Sequence, residues 1–244
     1  MLELRNISFA ADDAQSHKEI LKHINLTIDE RFVAVTGPNG GGKSTLAKVI
    51  AGILRPTEGQ ILLDGEDITP LSITERARRG ISFAFQQPVR FKGLTVRDLI
   101  TLAAGHELTV AEVCSYLSEV GLCAKDYIAR EVNASLSGGE IKRIEIATVL
   151  ARGTRFMLFD EPEAGIDLWS FTGLIDVFRD LRSHLDGSLV IISHQERILA
   201  IADEIVVIAD GVVQQAGPRA LVLPGLLDGA AGCTQCPNKE VGKQ

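Results

Sequence analysis

The sequence predicts an α/β fold built on a mainly parallel sheet that a helical lobe interrupts. Three observations lead there. Strand-length apolar runs alternate with helix-like stretches along most of the chain. A glycine-rich segment, Gly37-Pro38-Asn39-Gly40-Gly41-Gly42-Lys43-Ser44, separates one such run from one such stretch. Between residues 95 and 152 the apolar spacing becomes helical.

Residues 2–6 alternate and predict a strand, and the polar stretch 11–18 predicts a loop. Alternation returns at 25–29, and Phe32-Val33-Ala34-Val35-Thr36 predicts a buried strand. After the glycines, residues 46–51 predict a helix that Gly52 ends. Residues 60–63 and 81–85 predict further strands. In the helical block Val96, Leu99, Ile100 and Ala103 share one face, and so do Val113, Tyr116, Leu117 and Val120. Strands return at 156–159, 189–193 and 204–209. A turn at Asp210-Gly211 then leads into Val212-Val213-Gln214 as a hairpin. Beyond Pro224 the chain turns Gly-rich and polar, which predicts a loose tail. The organisation expected is a single domain: core lobe 1–86 and 156–217, helical lobe 87–155, tail 218–244.

At 244 residues the chain can bury a core without staples. Hydrophobic residues make up 45% and charged residues 23%, a globular composition that excludes disorder. Lys plus Arg total 25 against 32 for Asp plus Glu, a net charge of -7. Nucleic acid is therefore not an expected partner, since that needs a broad basic surface. The longest apolar runs are strand-sized, so no membrane span or direct membrane insertion is expected. Met1 is followed at once by Leu-Glu-Leu-Arg, against a signal peptide, and four cysteines are too few for a disulfide scaffold. These features predict a soluble, cytoplasmic protein.

The glycine-rich segment has the phosphate-loop spacing G-x-x-x-x-G-K-S. Glycines let backbone N–H groups approach phosphate oxygens, and the following helix aims its positive end at the same charge. Gly37, Pro38, Asn39, Gly40, Gly41, Gly42, Lys43, Ser44 and Thr45 are the expected nucleotide-binding residues. Lys43 supplies a point charge for the phosphates, and Ser44 a hydroxyl for Mg²⁺. Phe156-Met157-Leu158-Phe159 ends in Asp160-Glu161, two carboxylates at a strand's C-terminal end. Asp160 is the expected Mg²⁺ partner and Glu161 the expected general base. Leu136-Ser137-Gly138-Gly139-Glu140 precedes a helical run. Ser137 and Glu140 read as a capping box. Two glycines there cost helix propensity, which suggests an anion site at the same N–H groups.

Together, the phosphate loop, this Leu-Ser-Gly-Gly segment and the acidic pair resemble an ABC ATPase nucleotide-binding domain, over residues 2–217. The resemblance implies a P-loop NTPase fold with an N-terminal antiparallel β part and an inserted helical subdomain. It implies ATP and Mg²⁺ as ligands and ATP hydrolysis as the activity. Gln86 then corresponds to the Q-loop glutamine near Mg²⁺ and the attacking water, with Gln87 as the one-residue alternative. Asp167 falls in the D-loop, and His194 matches the switch histidine at the γ-phosphate. The resemblance also implies an ATP-dependent homodimer, in which Leu136, Ser137, Gly138, Gly139 and Glu140 act across the interface on the partner's nucleotide.

Three departures stand out. The signature ends in Glu140 where the family usually has Gln. The place of the usual adenine-stacking aromatic falls near Ala11, while Phe9 alternates like a core residue. Pro162-Glu163-Ala164 stands where Pro-Thr-Ser is usual. The run Ser137-Gly138-Gly139-Glu140-Ile141-Lys142-Arg143-Ile144-Glu145 and the segment Ala84-Phe85-Gln86-Gln87-Pro88-Val89 resemble the SufC-type branch, the soluble ATPases of Suf iron–sulfur cluster assembly. That likeness implies a SufB/SufD-like scaffold as partner. The alternative is a motor for a membrane-spanning permease. Residues 89–97 would supply the contact in either case. Cys233 and Cys236 form one C-x-x-C pair, too few ligands for a structural zinc site.

Overall fold

A computed structural model describes residues 1–13, 16–87, 89–184 and 186–231; for 12, 13, 16, 17 and 229–231 it describes the backbone alone. Cys233 and Cys236 lie outside the described residues.

Two sheets sandwich a helix. The first is antiparallel, with order β2-β1-β4-β5, from β1 (Leu2–Asp13), β2 (Ser16–Ile28), β4 (Glu58–Leu63) and β5 (Glu66–Asp67). The second is six-stranded, with order β10-β9-β3-β8-β7-β6. Its strands are β3 (Phe32–Thr36), β6 (Ile81–Ala84), β7 (Phe156–Asp160), β8 (Ser188–Ile192), β9 (Glu204–Ala209) and β10 (Val212–Pro218). Five of them run parallel, and β10 pairs antiparallel with β9.

The parallel strands are buried on both faces, and successive side chains serve two cores. Phe32, Ala34, Met157, Phe159, Leu189 and Ile191 face a core shared with the helical lobe. Val33, Val35, Phe156, Leu158, Val190 and Ile192 face a core shared with the antiparallel sheet. Helix α1 (Lys43–Ala51) fills the second core with Leu46, Ala47, Val49 and Ile50, and Gly52 caps it at φ 82°. Helix α2 (Ile73–Arg78) covers its C-terminal end.

The helical lobe contains α3 (Val96–Ala104), α4 (Val110–Glu119), α5 (Ala124–Tyr127) and α6 (Gly138–Ala151). The apolar face expected on α3 buries Val96 and Ile100, and that on α4 buries Val113 and Leu117. The chain continues through α7 (Leu168–His184), α8 (Glu196–Leu199) and α9 (Arg219–Ala231).

Two expectations are corrected. The loop expected at 11–18 is the tip of a hairpin: β1 runs to Asp13 and β2 starts at Ser16, with Ala11 opposite Lys18. Backbone pairing carries the strands past the end of their apolar alternation. The loose tail expected beyond Pro224 begins instead as α9, which passes through Pro224. Val222 is 1% exposed and anchors it in the core, with Leu223 and Leu226 packed alongside. Tertiary burial here outweighs a proline's missing N–H. The region 218–244 is thus strand end and helix as far as residue 231.

Candidate functional site

Parallel strands bring their C-terminal ends to one edge of the sheet, and the site forms there. β3 delivers the glycine-rich loop, β7 delivers Asp160 and Glu161, β8 delivers Ser193 and His194, and β6 delivers Gln86.

Two of the loop's glycines sit where a side chain would be strained or crowded. Gly37 has φ 131°, and a Cβ there would lie 2.0 Å from the Ile208 carbonyl oxygen. Gly42, the N-cap of α1, has φ 104° and faces Leu21 at 2.8 Å. Lys43 Nζ donates to the carbonyls of Gly37 at 2.8 Å and Pro38 at 2.9 Å. Burial pushes the Lys43 ammonium below its ordinary pKa, while Glu161 and Asp160 oppose that shift. A cleft of about 490 Å³ opens over the loop, lined by Asn39, Gly40, Gly42, Lys43, Ser44, Thr45 and Glu161. Its outer end is lined by Lys18, Glu19, Ile20, Lys22 and Asp210, close to Ala11 in the β1–β2 ladder. Phe9 packs against the core instead.

Ser44 Oγ donates to Asp160 Oδ1 at 2.9 Å across 116 residues of sequence. Burial raises the Asp160 carboxyl, the Ser44 bond lowers it, and the net lies above the ordinary value. Glu161 adopts φ 45°, a left-handed conformation that costs a non-glycine residue about 1–3 kcal/mol. The strained turn sends its side chain between two other predicted residues. Gln86 Nε2 donates to Glu161 Oε2 at 2.5 Å, and His194 Nε2 lies 3.7 Å from Glu161 Oε1. Of the two adjacent glutamines it is Gln86 that reaches Glu161. Burial and the Lys43 charge hold His194 below its ordinary pKa, against the pull of Glu161.

The segment 136–140 does not line this cleft. It begins α6 in the helical lobe, beside the residues that precede α7. Ser137 and Gly138 are exposed, and Leu136 and Gly139 are buried. The capping box forms: Ser137 N–H donates to Glu140 Oε2 at 2.7 Å, and Glu140 N–H to Ser137 Oγ at 3.3 Å. Tyr127 OH donates to the other Glu140 oxygen, with Arg130 3.6 Å away. Burial raises the Glu140 carboxyl, but these bonds and the Arg130 charge outweigh it and hold it below the ordinary range. The capping box read from Ser137 and Glu140 thus holds this carboxylate against the backbone. The glycines also have a packing reason. A Cβ on Gly138 would meet the Gly165 carbonyl oxygen at 2.8 Å, and one on Gly139 would meet Ser170 at 2.8 Å. Asp167 caps α7 through Trp169 N–H and Ser170 N–H, both at 3.0 Å.

Sequence reasoning missed three residues around the site. Lys142, 1% exposed, donates to the Phe85 carbonyl at 2.5 Å and pairs with Glu145 at 2.8 Å, tying α6 to the strand end before Gln86. Glu163 accepts from Ser193 Oγ beside His194. Arg76 is buried against the end of α1. Each is a contact across distant segments; the Pro162-Glu163 departure and the distinctive signature run through Lys142 and Glu145 were the local signals, and neither showed the contact.

A second cavity, about 520 Å³ and apolar, opens between the sheet edge and the helical lobe. Phe83, Phe85, Val89, Phe91, Leu94, Leu99 and Leu102 line it beside Gln86. Phe85, Val89, Phe91 and Leu102 are at least 42% exposed. No described helix is long and apolar enough to cross a membrane.

Comparison with known proteins places this geometry. The chain matches the family described as ABC transporter over residues 21–164. An uncharacterised ABC transporter ATP-binding protein of Methanocaldococcus jannaschii is 39% identical over 212 residues, covering 83% of this chain and 84% of its own length. The spermidine/putrescine import ATP-binding protein PotA of Mesoplasma florum is 34% identical over 224 residues, covering 89% of this chain and 61% of its own length. A dimeric ATP-binding cassette in a post-hydrolysis state with ADP and phosphate superposes with a TM-score of 0.80 at 25% identity. That match covers 90% of this chain and 99% of the other.

Proposed function

This chain belongs to the ABC transporter family as an ATP-binding, ATP-hydrolysing domain, and from that premise we propose that it is the motor subunit driving a membrane-spanning permease. The exposed apolar cavity beside Gln86 supports a partner-driving role, and the relatives named as ABC transporter ATP-binding proteins carry the choice of a permease as that partner. The cavity offers a partner segment a seat next to a residue that touches Glu161, so docking and chemistry share one side chain.

We assign the roles as follows. The 37–45 loop and Lys43 bind the phosphates with backbone N–H groups, the α1 N-terminus and one ammonium. Ser44 and Asp160, already 2.9 Å apart, form an all-oxygen pair suited to a hard cation, with Gln86 close by on Glu161. Mg²⁺ held there would neutralise charge on the β- and γ-phosphate oxygens. Glu161 takes a proton from the attacking water, and Gln86 and His194 flank it. Two copies pair head to tail, and Ser137 and Gly139 of one act on the nucleotide of the other; the dimeric relative supports this arrangement. ATP closes the pair, and hydrolysis with product release reopens it.

A second reading, motor of an iron–sulfur assembly scaffold of SufB/SufD type, draws support from the buried Lys142–Glu145 pair. Those are the residues that make the signature run resemble SufC-type ATPases. The test is to tag the chain in its own cells, break them anaerobically, and separate membranes from cytosol. Co-purification with a multi-span membrane protein, without iron, is expected. A soluble partner carrying iron and sulfide would overturn the permease reading in favour of the second.

A further inference from the structure

We infer that Glu163 is a positioning residue for the γ-phosphate side of the site, acting through the Ser193 hydroxyl on the loop that carries His194. The inference rests on the reading of His194 as a residue that faces the phosphate.

Ser193 is 0% exposed and ties down the loop that follows β8. Its N–H donates to the Val35 carbonyl at 3.0 Å, which fixes it to the strand that feeds the phosphate loop. Its Oγ accepts the Gln195 N–H at 3.0 Å. The residues on both sides of His194 are therefore held through one side chain. That hydroxyl has a single proton, and it goes to Glu163 Oε1. Its direction is thus set by Glu163. Remove the acceptor and the hydroxyl is free to turn, and Gln195 N–H loses a fixed partner.

Glu163 is itself anchored next to the chemistry. It lies two positions after Glu161 in a tight turn, with Ala164 N–H donating to the Glu161 carbonyl at 3.0 Å and Ile166 N–H to the Glu163 carbonyl at 3.2 Å. The turn that strains Glu161 and the loop that carries His194 are thereby joined by one side-chain bond. The second oxygen of Glu163, Oε2, is buried with no hydrogen-bond partner. Burial also pushes the group above its ordinary pKa, more than the Ser193 bond lowers it. A buried unpaired oxygen is costly, and more so on a charged group than on a neutral one. A costly group between two site segments is what a positioning role would retain.

The test uses the full chain with Glu163→Ala, Glu163→Gln, Ser193→Ala, the Glu163→Ala/Ser193→Ala double variant, and His194→Ala. Steady-state hydrolysis and ATP affinity are measured with Mg²⁺. Glu163→Ala is expected to lower kcat about ten- to a hundredfold, the range for a misplaced catalytic group. KM and ATP Kd should stay within about twofold, because ground-state binding is untouched. Glu163→Gln keeps a carbonyl for the Ser193 proton and should recover kcat to within about threefold of the parent. Ser193→Ala should reproduce the kcat loss, and the double variant should be no slower than the slower single, since both remove one bond. Parent-like kcat in Glu163→Ala overturns the inference. So does additivity in the double variant, or an equal loss in the Ala and Gln variants. If His194→Ala keeps parent turnover, the phosphate-facing reading of His194 falls and takes this inference with it. If His194→Ala is inactive and Glu163→Ala is not impaired, only the Glu163 role falls.

Discussion

Replacing Arg76 with methionine should loosen the helix that holds the phosphate loop. Arg76 is 1% exposed. Its Nη1 donates to the carbonyls of Val49 at 2.7 Å and Ile50 at 2.8 Å, in the last turn of α1. Its Nη2 donates to the Thr69 carbonyl at 2.9 Å and its Nε to the Leu71 carbonyl at 3.2 Å. Last-turn carbonyls have no partner within a helix and carry its negative end, so a guanidinium there acts as a cap. Arg76→Met keeps the apolar stem and removes every donor. The losses are unequal. Ile50 O is left without this donor, whereas Val49 O keeps the Gly52 N–H at 3.2 Å. Thr69 and Leu71 are half-buried, and water can replace the donor there. At about 1–3 kcal/mol per stranded buried carbonyl, one full and one partial loss come to about 2–4 kcal/mol. Relief of the buried charge, which already pushes the Arg76 pKa down, trims the upper end. Equilibrium urea unfolding followed by far-UV circular dichroism is the assay. With a slope of about 2–3 kcal/mol per molar, the midpoint should fall by about 1 M. A fall below about 0.3 M at unchanged slope would refute the capping argument. Saturating ATP should return part of the loss, because ligand binds only the folded chain.

Three further outcomes follow from the site. Glu161→Gln should keep ATP binding while kcat drops about 10²–10⁴-fold, and size-exclusion chromatography with ATP should show the closed pair accumulating; parent-rate hydrolysis would remove Glu161 from the role of base. Lys43→Ala should weaken ATP by about 1.5–3 kcal/mol, roughly ten- to a hundredfold in Kd by calorimetry, and an unchanged Kd would contradict the phosphate-loop assignment. Glu163→Gln should be more stable than the parent at pH 8. Burial raises the folded-state pKa of Glu163 above 4.5, so the stability it contributes is full below the unfolded pKa and is lost as pH rises through the folded one. The variant's advantage should therefore shrink toward acid and vanish below about pH 4 in urea titrations, and a constant gap would contradict this.

The site was legible wherever its chemistry is local. Gly37 to Thr45 form one continuous loop whose spacing announces it, and Asp160-Glu161 end one apolar strand, a weak pattern alone that gains its meaning downstream of that loop. Gln86, Asp167 and His194 were reached only through family resemblance, since a lone Gln, Asp or His after a strand carries no pattern of its own. The fold was legible where hydrophobic periodicity is strong, as in β3 and α4. It was not legible at the β1–β2 tip or in α9. There, pairing between strands and burial of Val222 decide the structure, and neither leaves a periodic trace.

By itself the sequence determined an α/β chain with a glycine-rich loop of phosphate-loop spacing, an acidic strand end and a capped helix after Leu136-Ser137. Each of these is a short-range arrangement written in consecutive residues. Tertiary structure alone decided which distant groups meet. It set Ser44 against Asp160, Gln86 and His194 on either side of Glu161, Lys142 under the Q-loop, and Ser193 on Glu163. The physical reason is the parallel sheet. It brings the ends of strands far apart in sequence to one edge, where hydrogen bonds join side chains that no local pattern could pair.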